Sequence, residues 1–495
     1  MKKTIYTIAA ALALTACSGF LEEYSQDEIR PKKVSDYSEL INGEIYMKTN
    51  EGANHASWLD VMTDDVEDLF SRPGIFGNND SRAAYYGYYT WQAAPEYSYT
   101  NTITADGAWA FYYHQILTVN MILDSIDEAE GDNAARQTVI GEALAARAYA
   151  YFMLVNIYGE PYDPATASSA LGVPINNLVG AENRNFHRAS VAEIYDIIVT
   201  DLQEAIKNLN AGGNVNKMWR WNAAAAKLLL ARTYLFMQDW DNAEKMATEV
   251  IEQTGGVLWN LNDKDASDYF FCANNPEVLF TYGYGASMFT STGANGFFPP
   301  SASLKAAYQS GDKRYSTNAT GAFIRQTGSF FTGKKFVQYK CYFSIETTGI
   351  WGYAFRTAEA YLTRAEALSH TSRYLQSLDD LNTLRQSRFT PAAYKPLELT
   401  DQEEIIQFVR EERRREFCFE KFRWFDLRRW DRPSITHVYH TDYSDQSAVR
   451  TFTLEENDPA YTLPIPMAVS QHDADVEPYN KRPARNPLEG EETAE

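Results

Sequence analysis

Cysteine is scarce, with four in 495 residues. One, Cys17, lies near the N-terminus. The other three, Cys272, Cys341 and Cys418, allow at most one disulfide, which excludes a disulfide-built scaffold. The ordinary role of such thiols is that of small buried hydrophobes. Histidine is also sparse, with seven. His437 and His440 are the nearest pair and lack an HExxH context, so spacing defines no metal site. Basic residues are outnumbered, 45 Lys and Arg against 66 Asp and Glu, for a net charge of −21. That excludes a nucleic-acid partner, which needs a basic footprint. No GxSxG elbow appears. Residues 328–335 nearly spell a phosphate-binding loop, but Lys335 stands where Ser or Thr must hold the metal. No cofactor motif remains. Carboxylates are too numerous for sequence to exclude a hydrolytic pair, yet catalysis has no positive signature. After the first residues, no apolar run approaches a membrane span.

The N-terminus is the exception. Lys2 and Lys3 precede an apolar run over 5–14, too short to span a bilayer and of the length of a secretory leader. It ends in Leu14-Thr15-Ala16-Cys17. This LTAC resembles the lipobox of bacterial lipoproteins, in which the cysteine sulfur takes a diacylglyceryl group and becomes the first mature residue. The expectation is a signal peptide over 1–16, a lipid on Cys17 and a body over 17–495 that stays in water. Losing Lys2 and Lys3 with the leader makes the net charge −23. Each buried acyl methylene contributes about 0.8 kcal/mol, so a multiply acylated cysteine anchors stably.

What the chain has in abundance is aromatic rings: 33 Tyr, 26 Phe and 10 Trp. Amphipathic helices account for part of them. Leu144, Ala148, Tyr151 and Tyr158 recur at helical steps until Gly159 and Pro161 stop the pattern. Ile194, Ile198, Leu202 and Ile206 follow Ser190, which forms a capping box with Glu193. Ala224, Leu228, Ala231 and Leu235 share one face. After a break at Gln238 and Asp239, Ala243, Ala247 and Val250 share another. This pair, 222–253, resembles a tetratricopeptide repeat. A second pair reads over 355–388, and a third over 103–127 with 134–158. The expected class is mostly α: a tetratricopeptide-like helix-pair scaffold with long ordered loops and a few short strands. Its regions are a helical and loop part at 18–220, the repeat at 222–253 and a loop-rich ligand region at 255–352. A C-terminal helix pair with its signature at 355–430 and C-terminal loops at 431–495 complete it. Long aromatic loops on a rigid scaffold are the layout of a binding protein.

Several ordered motifs then carry a family resemblance. Trp109 to Asn120 reads W-x-x-x-Y-x-x-I-x-x-x-N. From Gly141, GEALAARAYAYFMLVNIYGEPY resembles G-E-A-x-x-x-R-A-x-x-Y-F-x-L-x-x-x-Y-G. Asn275 to Phe280 resembles an N-x-E-V-I-F strand, and Asp312 to Arg314 a D-x-R turn. EERRREFCFEKFRWFDLRRW, from Glu411, resembles E-R-R-x-E-x-x-x-E-G-x-R-x-x-D-L-x-R. Leu463 to Pro466 gives a late P-I-P. Together they resemble the SusD/RagB family, the surface nutrient-binding lipoproteins of Bacteroidetes. Two departures stand out: Lys421 occupies the usual glycine position, and 485–488 differs from the usual ending. The resemblance implies a non-enzymatic protein that captures a nutrient outside the cell. It also implies a SusC-like TonB-dependent transporter as partner and an outer-membrane location facing the exterior.

The arginines of 411–430 alternate with Glu411, Glu412, Glu416, Glu420 and Asp426, and with rings. That pattern reads as an ion-paired helix and turn locking the repeats together. Ligand candidates lie in the loops. Tyr85, Tyr86, Tyr88, Tyr89, Trp91, Tyr97 and Tyr99 crowd one segment, flanked by Asp64, Asp65, Arg72 and Asn101. Tyr282, Tyr284, Phe289, Phe297, Phe298 and Trp351 form a second group. Sugar C–H faces pack on such rings, and hydroxyls bind planar polar groups. The resemblance implies ligand contacts from these two regions. The expected contacts are Asp65, Arg72, Tyr89, Trp91, Asn101, Tyr282, Tyr284 and Trp351. Glycan is favoured over peptide; a peptide-binding member and a repeat-based scaffolding lipoprotein without a small ligand are the alternatives.

Overall fold

Capped, alanine-rich segments build the scaffold. The computed structural model describes residues 31–47, 56, 58–68, 80–103, 107–180, 182, 184–213, 217–283, 298–329, 333–338, 340, 352–441, 445, 447–477, 480, 482 and 484–486. The leader, Cys17, Arg72, Tyr284 and Trp351 lie outside these. The main helices are α1 (Val34–Ile41), α2 (Gly107–Ser125), α3 (Asn133–Tyr158), α4 (Val191–Gly212) and α5 (Ala223–Phe236). They continue with α6 (Trp240–Thr254), α7 (Thr357–Ser369), α8 (Ser377–Arg388), α9 (Gln402–Phe417) and α10 (Phe422–Arg429). From α2 to α8 each helix packs on the next in sequence, and α9 lies across α7 and α8. This stack of neighbours is the mostly α, helix-pair architecture that the periodicity predicts.

Local chemistry sets the helix ends. Ser190 and Glu193 form the capping box that starts α4. Asp132, Asn222 and Asp239 accept the N–H groups of Ala135, Ala225 and Asn242 at the starts of α3, α5 and α6. Gln238, left-handed at φ 60°, breaks α5 from α6. Small side chains set the spacing: a Cβ on Gly141 would fall 2.7 Å from Leu209 Cγ, so α3 and α4 approach too closely for any other residue. α3 is long and apolar enough to cross a membrane, but it is a core helix, with 83 % of its most apolar window buried.

The described strands are β1 (Leu171–Pro174), β2 (Arg188–Ser190), β3 (Val278–Tyr282), β4 (Tyr315–Ser316), β5 (Ile324–Ser329), β6 (Gly333–Gln338), β7 (Tyr353–Arg356), β8 (Ile435–His440) and β9 (Val449–Leu454). They pair as β1–β2, β3–β7, β4–β5–β6 and β8–β9, all antiparallel except β4–β5. Gly328 pairs with Lys334 across the β5–β6 ladder. The stretch resembling a phosphate loop is therefore part of a hairpin and leads into no helix.

Charge holds the scaffold to its connections. The Glu416 carboxylate, on α9, accepts from Arg356 at 2.6 Å, from Arg388 at 2.8 Å and from Arg314 at 2.9 Å. Glu412 pairs with Arg314 and Arg415, each at 2.7 Å. Glu420 takes Lys340 at 2.6 Å and Arg356 at 2.8 Å. Glu277 receives Arg388 at 2.8 Å. Glu366, on α7, holds Arg429 at 2.6 Å and Arg413 at 3.2 Å. Burial alone would raise the carboxyl pKa values of Glu366, Glu412 and Glu416. The surrounding guanidinium groups outweigh it, holding Glu366 and Glu412 down at about 2 and Glu416 well below its ordinary value.

Two outcomes follow from this network. Glu416→Ala leaves three buried guanidinium groups facing one another and is expected to cost about 3–5 kcal/mol in a denaturant titration. A depressed carboxyl pKa stabilises the fold at pH above the unfolded value and loses that contribution as pH falls through the folded one. Unfolding free energy should therefore hold at neutral pH and drop between about pH 4.5 and 2, as followed by circular dichroism.

Candidate ligand-binding face

The tyrosine-rich segment folds onto the β8–β9 hairpin. Helical turns at Trp58–Val61, Asp80–Ala83 and Tyr86–Tyr89 punctuate it. Trp91, with φ 51°, is fully buried, and its indole Nε1 donates to Met62 O at 3.0 Å. Its ring and that of Tyr89 both stack on the imidazole of His437, with centroids 4.4 and 4.1 Å away. His437 Nδ1 and Nε2 lie 2.7 and 3.0 Å from the carbonyl oxygens of Tyr89 and Thr63. Burial brings its pKa down to about 4 despite those carbonyls. Tyr89 donates its hydroxyl to Val438 O at 3.1 Å and accepts from Asp68 N at 2.9 Å. Asp65 is buried, with Arg414 Nε 2.7 Å from its carboxylate.

These positions correct part of the expectation. Asp65, Tyr89 and Trp91 face inward and are joined to other parts of the chain. They present no surface on which a sugar could stack. Their common role is to position the segment: Arg82 completes it by reaching Asp68 at 2.6 Å and His440 O at 2.6 Å.

Asn101 is different. Residues 97–103 form a tight turn closed by a Tyr97–Ile103 bridge. Ser98 N donates to Thr102 O at 2.9 Å and Asn101 N to Ser98 O at 2.9 Å. Asn101 sits left-handed at φ 60°, where asparagine is among the few tolerated residues. The turn offers Tyr99, Thr100 and Asn101 to solvent, with Tyr99 38 % exposed. The Tyr99 ring is braced edge-on by Tyr86 at 5.2 Å and at a tilt by Tyr439 at 5.4 Å. Arg450 lies directly across the ladder from Tyr439, which puts both side chains on one face of the hairpin. Burial raises the Tyr86 hydroxyl pKa, and the nearby Arg450 charge opposes it. Arg450 is exposed. It was not among the sequence candidates, although the alternation through 449–454 carries its signal.

Tyr282 sits elsewhere, on β3. Its hydroxyl is 2.7 Å from that of Tyr149. Together with Tyr46, Tyr112, Trp221 and Tyr353 it lines a cavity of about 30 Å³. That space admits about two waters and no sugar ring. Lys421 reaches the same cavity, its ammonium 4.2 Å from the Tyr353 ring centre. Lys421 has φ 66°, the left-handed conformation that glycine adopts without a steric penalty. Among the described residues, no group of three or more His, Cys, Asp or Glu side chains is placed to hold a metal ion.

Comparison with known proteins now gives the family. A family model described as "Starch-binding associating with outer membrane" matches residues 19–235, and the SusD family model matches 211–478. A SusD-like protein of Formosa agariphila, P38, is 23 % identical over 378 residues, covering 64 % of this chain and 71 % of its own. Another from that organism, P25, is 22 % identical and covers 84 % of this chain and 87 % of its own. A SusD superfamily structure from Bacteroides vulgatus superposes with a TM-score of 0.71 at 20 % identity, over 91 % of this chain and all of that one. A SusD-like carbohydrate-binding protein from the same organism gives 0.67 at 19 %, over 91 % and 98 %. With one family model covering more than half of its length, the chain belongs to the SusD family, associated with the outer membrane, whose members bind ligand without catalysing a reaction.

Proposed function

We propose that this protein captures a glycan at the cell surface and passes it to a SusC-like TonB-dependent transporter. The observation that carries the reading is the braced, exposed Tyr99 beside Asn101 and Arg450. The ring offers a flat apolar face to sugar C–H groups, and the amide and guanidinium offer planar hydrogen-bonding partners to hydroxyls. The family model's starch-binding description and the carbohydrate-binding name of a similar structure support the same ligand class. Arg72, Tyr284 and Trp351 are proposed as further contacts, from where their segments attach. Residues 69–79 leave at Asp68, which binds Arg82, and residues 284–297 return at Phe298, whose ring meets Tyr89 at 5.0 Å. Residues 341–351 rejoin at Gly352, whose N–H donates to Gly283 O at 2.8 Å. Tyr282 lies one residue before Gly283, at the edge of this region.

The leader supports a lipid tether, and the family supports the outer membrane as its place. Cleavage after Ala16 and acylation of Cys17 would tether the body to the outer membrane, with its ligand face outward beside the transporter. No nucleic acid enters this role.

Binding to soluble polysaccharides and to peptides, read by affinity electrophoresis and calorimetry, tests the ligand class. Tyr99→Ala should weaken glycan binding about tenfold with little change in stability, as expected for an exposed contact worth about 1.4 kcal/mol. Trp91→Ala should do the opposite in kind. It removes a buried ring and should cost about 3–5 kcal/mol of unfolding free energy. Binding of peptides and of no glycan would change the ligand class. Cys17→Ser protein should appear in the soluble fraction; its persistence in membranes would refute the anchor.

A further inference from the structure

Two helix pairs and the arginine-rich run meet around a pocket of about 280 Å³. Leu235 and Phe236 reach it from the end of α5, Gln238 from the break and Trp240 from the start of α6. Glu366 and His370 come from α7 and the residue that ends it, Arg410 from α9, and Arg429 and Trp430 from the end of α10. None of these residues belongs to the Tyr99 turn or to the β8–β9 hairpin. The lining is held in place. The Trp240 ring stacks on the imidazole of His370, with centroids 4.3 Å apart and planes 12° from parallel. Trp430 Nε1 donates to Glu366 Oε1 at 3.0 Å. In the break, Gln238 N donates to Leu235 O at 3.1 Å and Asp239 N to Tyr234 O at 2.9 Å. A site fixed in this way loses little freedom when a ligand enters.

Size and charge narrow what the pocket can take. An apolar cavity of about 150 Å³ accepts a benzene ring, so this one has room for a six-membered ring with its substituents. Its charges select no ion. Arg410 already holds Asp431 at 2.7 Å, and Arg429 holds Glu366 at 2.6 Å. Burial keeps the pKa of His370 below its ordinary value, and Glu366 and Glu403 act on the ring against Arg410 and Arg429, two charges of each sign. The imidazole is therefore neutral at neutral pH, with one donor and one acceptor nitrogen. Neither nitrogen has a hydrogen-bond partner among the described residues, and the same holds for the Gln238 amide and the Trp240 indole N–H. Apolar walls with uncommitted neutral donors and acceptors suit an uncharged ring that is apolar on its faces and hydroxylated at its edge.

We infer that this pocket binds one neutral monosaccharide unit, with the indoles of Trp240 and Trp430 as apolar walls and Gln238 and His370 as hydroxyl partners. The inference goes beyond the function proposed above, because the pocket is formed without any residue of the Tyr99 face. It holds a single ring, either a free sugar or the end of a chain, and its occupancy does not depend on whether that face is filled.

The test uses the full chain, titrated with glucose, galactose, mannose, xylose, glucuronate and galacturonate, and read by tryptophan fluorescence and calorimetry. At least one neutral sugar should saturate the signal, equally in wild-type and Tyr99→Ala protein. Two variants remove the hydroxyl partners while sparing the fold. Gln238→Gly deletes the amide at a left-handed position that glycine adopts freely, and His370→Phe keeps a ring against Trp240 without its nitrogens. Each should weaken binding about fivefold, the loss expected for one neutral hydrogen bond, with an unchanged circular dichroism spectrum. No saturable binding of a neutral sugar overturns the inference, as does equal affinity in wild type and the double variant, or tighter binding of a uronate than of its neutral parent. Binding lost in Tyr99→Ala and kept in the double variant assigns the sugar to the Tyr99 face and also overturns it. None of these outcomes decides the proposed function, which stands or falls on polymer and peptide binding at that face.

Discussion

The carboxylate of Glu416 joins three guanidinium groups that enter from three directions: Arg314 from the turn before β4, Arg356 from the end of β7 and Arg388 from the end of α8. None of these charges is tolerable in the interior alone, because burial penalises each until its partners arrive. The network therefore works as a unit. It fixes α9 against the last helix pair and, through Arg356 and Glu277, fixes the β3–β7 ladder. The ends of that ladder, Gly283 and Gly352, are where two long segments leave and rejoin. The ion cluster thus fixes the described residues at which those segments leave and rejoin.

A second physical theme is the division of aromatic rings between two tasks. Most of the described rings are packed, and many are stacked on one another or under a cation, as with Arg232 between Phe355 and Phe422 at 4.5 and 4.6 Å. A few, Tyr99 and Trp219 among them, are exposed, and both stand on short turns held by backbone hydrogen bonds. Rigid turns let an exposed ring keep its orientation without a surrounding core, which is the property that a stacking ligand needs.

Much of the scaffold was legible because its determinants are local. The Ser190–Glu193 box, the break at Gln238 and the small-residue faces of α5 and α6 each operate within a few residues. The arginine–glutamate run was also readable as structure, since its opposite charges alternate at helical spacing. The ligand face was only partly legible. A cluster of tyrosines looks the same whether its rings point out or in, and the deciding partners are remote. His437 takes up Tyr89 from 348 residues away, and Arg414 takes up Asp65 from 349. Asn101 is at the surface because its own short turn exposes it. Trp219 lies two residues before Trp221, and nothing local says that the first is exposed and the second buried.

The seat of the tyrosine segment has a consequence for the order in which the molecule comes into being. Arg82 meets His440 across 358 residues, and Arg423 meets Asp64 across 359. Contacts of this separation close very large loops and form late relative to neighbouring helices. While the chain is being made, residues 58–103 exist long before β8 does. Through most of synthesis they remain a stretch of hydroxylated rings without a mould. The stacked helices can assemble pair by pair; the seat of the tyrosine segment cannot exist until nearly the whole chain is present.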